Sequence, residues 1–225
     1  MRYLVGNLNA VIYVSYVLTD RLALAGSLLE PTKDTLDGEP MLLPVPDDAP
    51  GEIPRIALTS KDGRFKCNVT KDYIELVYIG ETPTKELEEL REQWLRMLGE
   101  LANVMKRKLN CTIYRLGHVA RLIVSDNKAI EVVKERYIKS GALETPRSLE
   151  LHVLDRMSWD GLALNRWYRI SAHPKGKADG EGKEISVIFD INTVAEKKYD
   201  FGAESLVAFY DRACRYTINS SEGLL

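Results

Sequence analysis

Proton transfer and metal chemistry draw first on histidine, and this chain has three. His118 falls in register with Tyr114, Leu116, Ala120 and Leu122 of the stretch NCTIYRLGHVARLIVS, which turns it toward a core. A hydrogen-bonded core histidine is the plain reading and a general base the sharper one. As a base, its companions are Tyr114 and Arg121, and a small-ligand enzyme would have its site between sheet and helices around these three residues. His152 shares a strand face with Glu150 and Leu154 and is expected to meet solvent, while His173 sits at a loop edge before Pro174. No two histidines have zinc-ligand spacing and no cysteine lies near one in the chain, so no metal is expected. Asp155, Asp160 and Asp190 would serve acid–base chemistry only with partners that drive their pKa values apart, and turn or strand-end roles account for all three.

The phosphate-binding patterns are missing. There is no nucleophile elbow, Walker loop or dinucleotide fingerprint. The run from Gly176 to Lys183 is rich in glycine and lysine but lacks the strand-glycine-helix setting that aims backbone amides at phosphate, so it reads as a hairpin tip and no cofactor is expected. The remaining chemistry is recognition. Arg115 and Arg121 alternate on one side of a strand, and Asn165, Trp167 and Arg169 alternate on another. Arginine beside an aromatic on an exposed sheet grips single-stranded nucleic acid by phosphate pairing and base stacking, and it grips a protein partner equally well. A wet sheet face carrying Arg, Asn and Thr with no ligand at all is the plain alternative.

Bulk properties weigh against a polyanion. The chain has 225 residues, 45% apolar and 28% charged, with a formal charge of −2 and no RNP-type motif. Cys67, Cys111 and Cys214 are odd in number and far apart, which suits reduced thiols in a cytoplasmic protein. The apolar start MRYLVGNLNAVIYVSYVL is interrupted by Asn7 and Asn9 and has no small-residue cleavage site, so a first strand is expected rather than a signal peptide, and no membrane span.

The elements that must position these residues follow from periodicity. Residues 10–18 read as a strand, and Asp20 caps a short helix. From Pro31 to Pro54 six prolines rule out a helix, and a segment of this length between elements is a candidate arm, lid or strap. RIALTS, RFKCNVT and YIELVYIG then form an antiparallel meander with a turn at Asp62-Gly63. Thr82 and Pro83 are expected to open a long helix to Leu109, with Leu87, Leu90, Trp94, Leu98, Leu101 and Met105 on one stripe. After it the pattern restarts: a strand over NCTIYRLGHVARLIVS with a bulge at Gly117, a helix from Asp126 to Gly141, three strands, and a last helix around Leu206–Thr217.

Two similar strand-helix-three-strand-helix units are therefore expected, 1–109 and 110–225, in one pseudo-duplicated α+β domain whose antiparallel sheet or sheets carry helices on one face. A continuous sheet would resemble the saddle of TATA-binding proteins in outline.

Three stretches, PRIALTSKDGRFKCNVTKDYIELVY, YRLGHVARLIV, and VIFDINTVAE with FYDRACRYTINSSEGL, resemble a sporadically distributed, uncharacterised prokaryotic family of about this length. The resemblance implies no activity and carries no catalytic residues across. The family's ending reads as an aspartate-rich strand before the last helix, whereas here Asn192 follows Asp190.

Taken together, these features predict a non-enzymatic binding or assembly component that acts through a protein partner or a homo-oligomer. The small-ligand enzyme and the single-stranded nucleic-acid binder are the alternatives.

Overall fold

In the computed structural model, which describes residues 3–15, 20–46, 48–83, 86–126, 128–139, 146–174 and 183–221, alternation of apolar and polar side chains dictates the architecture. In chain order the elements are β1 (Leu4–Ser15), α1 (Arg21–Thr32), β2 (Met41–Leu42), β3 (Ile56–Thr59), β4 (Phe65–Val69), β5 (Tyr73–Pro83) and α2 (Leu87–Lys108). They continue as β6 (Thr112–Ser125), α3 (Ala129–Tyr137), β7 (Leu149–Trp159), β8 (Leu162–Pro174), β9 (Lys183–Thr193) and α4 (Ala203–Ser221). The strands form one nine-stranded antiparallel sheet in the order β2-β3-β4-β5-β1-β6-β9-β8-β7. The expected α+β class is observed, and the sheet runs unbroken across both halves.

Read outward from the centre, the halves follow the same path. The first runs β1-β5-β4-β3 and the second β6-β9-β8-β7, each with its opening strand at the middle and its meander folding back toward it. β1 and β6 join the halves through an antiparallel ladder from Leu4↔Ile123 to Ser15↔Thr112.

Leu8, Ala10 and Ile12 of β1, Leu116, Ala120 and Leu122 of β6 and Val187, Phe189 and Ile191 of β9 are all buried on one face. The helices cover that face. α2 supplies Trp94, Leu98, Leu101 and Met105, and α4 supplies Leu206, Phe209, Tyr210 and Ala213. Each apolar residue of this size removed from water contributes roughly 1.5–3 kcal/mol, which is what ties helices to sheet. On the opposite face no helix lies among the described residues, and Asn7, Asn9, Val11, Tyr13, Val119, Ile188 and Asp190 stay half-buried.

Several expectations are corrected. Thr82 and Pro83 do not open the long helix; they end β5, where Thr82 pairs with Val5 and its hydroxyl meets that of Tyr78. The ladder to β1 continues past Gly80 and overrides the local capping signal. The bulge in β6 is not at Gly117 but opposite Tyr13 and Val14. Gly117 is instead a close-approach position, since a Cβ there would lie 2.5 Å from Oδ1 of Asn192. Asp20 does cap α1, accepting from the Ala23 N–H at 2.9 Å. The helix expected to run to Gly141 ends already at Tyr137, after which Ile138 is extended at φ −119° and ψ 130°, and the tip from Gly176 to Gly182 lies outside the described residues.

Pro31 lies inside α1, against the expectation that no helix enters the proline-rich segment; the rest of the segment is a strap along the sheet's first edge. β2 pairs with β3, the Gly38 N–H donates to Thr59 at 2.8 Å, and the Leu43 N–H donates to Arg55 at 2.9 Å. Arg55 is fully buried and donates to the strap carbonyls of Ile53 at 2.7 Å, Ala49 at 3.3 Å and Gly51 at 3.4 Å. Arg21 holds it from α1 through the carbonyls of Leu43 and Val45.

Candidate functional site

The catalytic candidates do not form one site. His118 is fully buried on the helix side, with its ring edge toward Tyr210, and neither imidazole nitrogen has a protein hydrogen-bond partner. Burial alone lowers its pKa to about 4, so the ring is neutral and enclosed. Tyr114 was expected to share its face. The bulge beside Val14 places Tyr114 and Arg115 together on the uncovered side, where both meet Tyr13. Arg121 is on that side as well, so the sheet separates His118 from both of its proposed companions.

The three thiols offer no nucleophile. Cys67, Cys111 and Cys214 are buried and unpaired, and burial pushes Cys67 and Cys214 up to about 12. Among the described residues no cluster of three or more His, Cys, Asp or Glu side chains is arranged to hold a metal, and no helix is long and apolar enough to cross a membrane.

By contrast, all five binding candidates, Arg115, Arg121, Asn165, Trp167 and Arg169, stand on the uncovered face. Strand register puts them there: Tyr13↔Arg115, Asn7↔Arg121, Asn165↔Asn192, Trp167↔Asp190 and Arg169↔Ile188, and residues paired across an antiparallel ladder share a face. They fall into separate groups. Arg115 and Arg121 are six residues apart on β6, which is roughly 20 Å at strand rise.

At one end of the central strands, Tyr13 gathers Tyr73 at 5.8 Å and Tyr114 at 6.3 Å between ring centres, with the Arg115 guanidinium 4.8 Å over its ring. Beside them Glu75 accepts from Asn9 at 2.8 Å and Asn68 at 2.9 Å. The phenol pKa of Tyr73 is raised, first by burial and then by the Glu75 charge.

Toward the second half, Asp190 is held by Arg169 at 3.2 Å and by Asn192, and Arg169 also lies 6.0 Å from the Trp167 ring. Asn192 lies over Gly117, which leaves room for its carboxamide. The asparagine at this position therefore anchors Asp190 by donating to it, as a second aspartate could not without a shared proton. At the far end Arg121 donates to Ser186 at 2.9 Å and Glu184 at 2.8 Å. Reasoning from sequence missed Tyr13, Tyr73, Glu75, Asn9, Asn68 and Asn192. The legible signal was polar alternation within an apolar strand, LVGNLNAVIYVS, where Asn7, Asn9 and Tyr13 share one side.

The face thus presents aromatic rings and amides, with Arg121 and Arg169 matched by carboxylates and Arg115 laid over the Tyr13 ring.

No family model matches the chain, and no curated protein matches it. Among solved structures, the rolling circle replication initiator protein from Geobacillus stearothermophilus matches at a TM-score of 0.32 and 11% identity, covering 94% of this chain and 79% of that chain. Likeness at that level assigns neither a family nor an activity.

Proposed function

We propose that the protein is a non-enzymatic binding and assembly component that holds a protein partner against the uncovered face of its sheet. The observation that carries this reading is the internal pairing of two of the three candidate arginines, Arg121 with Glu184 and Arg169 with Asp190, while the third, Arg115, lies over the Tyr13 ring. Binding to a nucleic-acid backbone draws its strength from cations that neutralise phosphates and release counterions. Arginines already answered by carboxylates would have to exchange partners for no such gain. Tyr, Trp and Arg at a desolvated centre are what protein contacts use most.

The test replaces Tyr73 or Trp167 with a photo-crosslinking phenylalanine in cells that express the chain, with Leu22 on the helix side as control. Discrete protein adducts from positions 73 and 167, absent from 22, are expected. Salt-sensitive binding of single-stranded oligonucleotides, lost in Arg169→Ala and Trp167→Ala and without protein adducts, would overturn the reading in favour of nucleic acid.

The two units, 1–109 and 110–225, belong to this reading as one pseudo-duplicated domain, supported by the matching strand paths on either side of the β1–β6 ladder. Separate expression tests it: either unit alone leaves a central strand without its partner and is expected to be insoluble or to associate through that edge. A cytoplasmic setting, supported by three buried free thiols, completes the proposal.

A further inference from the structure

The sheet ends at β7, and among the described residues no strand pairs with its outer side. β7 is 11 residues long, without proline, glycine or a bulge, and its ladder to β8 runs unbroken from Leu149↔Ala172 to Trp159↔Leu162. Val153 and Leu154 are exposed at mid-strand, 42% and 51%. Such an edge is a template for another strand unless something blunts it.

The hairpin turn determines which backbone groups are on offer. Asp160 and Gly161 both have positive φ, 47° and 85°, the two-residue turn whose flanking residues exchange both hydrogen bonds. Trp159 and the other odd-numbered residues of β7 therefore bond to β8, and Glu150, His152, Leu154, Arg156 and Ser158 point their N–H and C=O groups outward. A new antiparallel strand must bond to these five. If that strand is a second β7 related by a twofold axis, only registers that pair even positions with even positions are open.

One of those registers matches charge. With the axis at Val153, Glu150 faces Arg156 of the second copy and Arg156 faces its Glu150, while His152 faces Leu154 and Val153 meets Val153. Moving the axis to Leu154 sets His152 against Arg156, and moving it to Asp155 sets two like carboxylates together. Arg156 is loosely engaged within its own chain, 3.9 Å from Glu196 with both side chains over 70% exposed, and Glu150 is 3.7 Å from His152. Arg156 can turn to the partner at little cost.

We propose that β7 is a self-pairing edge, and that two copies of this chain join there in antiparallel register about Val153 to form one continuous eighteen-stranded sheet, twice the nine strands of one copy. The contact runs through the backbone of the edge strand, and its side-chain pairs lie at the rim of the uncovered face, since Leu154 pairs with Trp167 and His152 with Arg169; the proposal does not depend on the face-binding reading.

Sedimentation equilibrium of the full chain tests it, with circular dichroism confirming that each variant is folded. A dimer is expected for the unaltered chain. Arg156→Glu and Glu150→Arg should each raise its dissociation constant by about tenfold or more, because each creates two like-charge contacts. An equimolar mixture of the two variants should restore unaltered affinity, since every Glu then faces an Arg. Leu154→Pro, which removes an outward N–H and no bond to β8, should abolish the dimer. A chain that is monomeric at all concentrations, a dimer indifferent to all three substitutions, or a mixture no tighter than either variant alone would each overturn the proposal.

Discussion

Toward its two ends the sheet runs out through strands at matching places in the order, β3 and β7, each the first strand of a three-strand meander that leads back to the centre. They are finished differently. At the first end two residues of β2, flanked by prolines, cover β3, and behind them a strap is pinned by a buried arginine. At the second end an 11-residue strand of mixed charge has no cover among the described residues. Proline in the strap denies the donors a further strand would need, so the first edge is closed to augmentation while the second is open to it. Matching strand paths thus finish differently: one end is capped, and the other has no cover among the described residues.

The largest expected effect comes from making the two ends alike. Arg55→Ala removes a buried guanidinium that satisfies the carbonyls of Ala49, Gly51 and Ile53, and leaves a cavity behind the strap. Urea unfolding should show a loss of about 4 kcal/mol. With β3 uncovered, light scattering should also show concentration-dependent association beyond a dimer, because both edges are then open. Unchanged stability and unchanged mass would mean that the strap does not protect the edge.

The centre of the sheet offers the next contrast. Ala10 and His118 face each other across the β1–β6 ladder on the core side, so the first half presents a methyl group where the second presents an imidazole. Burial lowers the folded pKa of His118 from 6.5 to about 4. The unfolded chain therefore takes up a proton as the pH falls through about 6.5 and the folded chain does so only near 4. Stability is fully present above about 6.5 and falls between the two values, by about 3 kcal/mol. His118→Leu should flatten this part of the pH–stability curve, and a curve equally steep in both proteins would refute the assignment.

A smaller change sharpens the edge comparison without touching a charge. A Cβ at Gly38 would lie 2.6 Å from the Thr59 carbonyl oxygen, to which the Gly38 N–H donates. Gly38→Ala should therefore lift the strap's first contact and cost about 2 kcal/mol, measured by thermal unfolding. The same substitution at Gly26, where nothing lies within 4 Å, serves as the control, with no loss expected.

How far these features were legible depended on whether the signal was local. Alternation in RFKCNVT and helical spacing from Leu87 to Met105 are properties of neighbouring residues, and strands and helix formed as read. The shared face of Trp167 and Arg169 was visible for the same reason. Tyr114 was misplaced because a single extra residue inverts the side of everything before it, and the bulge responsible depends on β1, about a hundred residues away. Thr82 was misread because its ladder partner, Val5, lies far away at the start of the chain. The strap's role turned on Arg55, whose three carbonyl partners follow no spacing rule.

The smallest expected effects separate the two halves of the uncovered face. In the first half Glu75 is gripped by two amides, one of them the buried Asn68, so Asn68→Ala strips a half-buried carboxylate of one donor and should cost about 1 kcal/mol. In the second half Arg169 is 44% exposed and spans 3.2 Å to Asp190, which keeps its bond from Asn192 when the arginine is gone. Arg169→Ala should therefore move stability by no more than about 0.5 kcal/mol. A near-zero change by chemical denaturation, together with lost crosslinking from position 167, would show that Arg169 is held ready for a partner rather than for the fold. A loss as large as that of Asn68→Ala would make the two halves of the face equally structural and remove the reason to place the partner over the second.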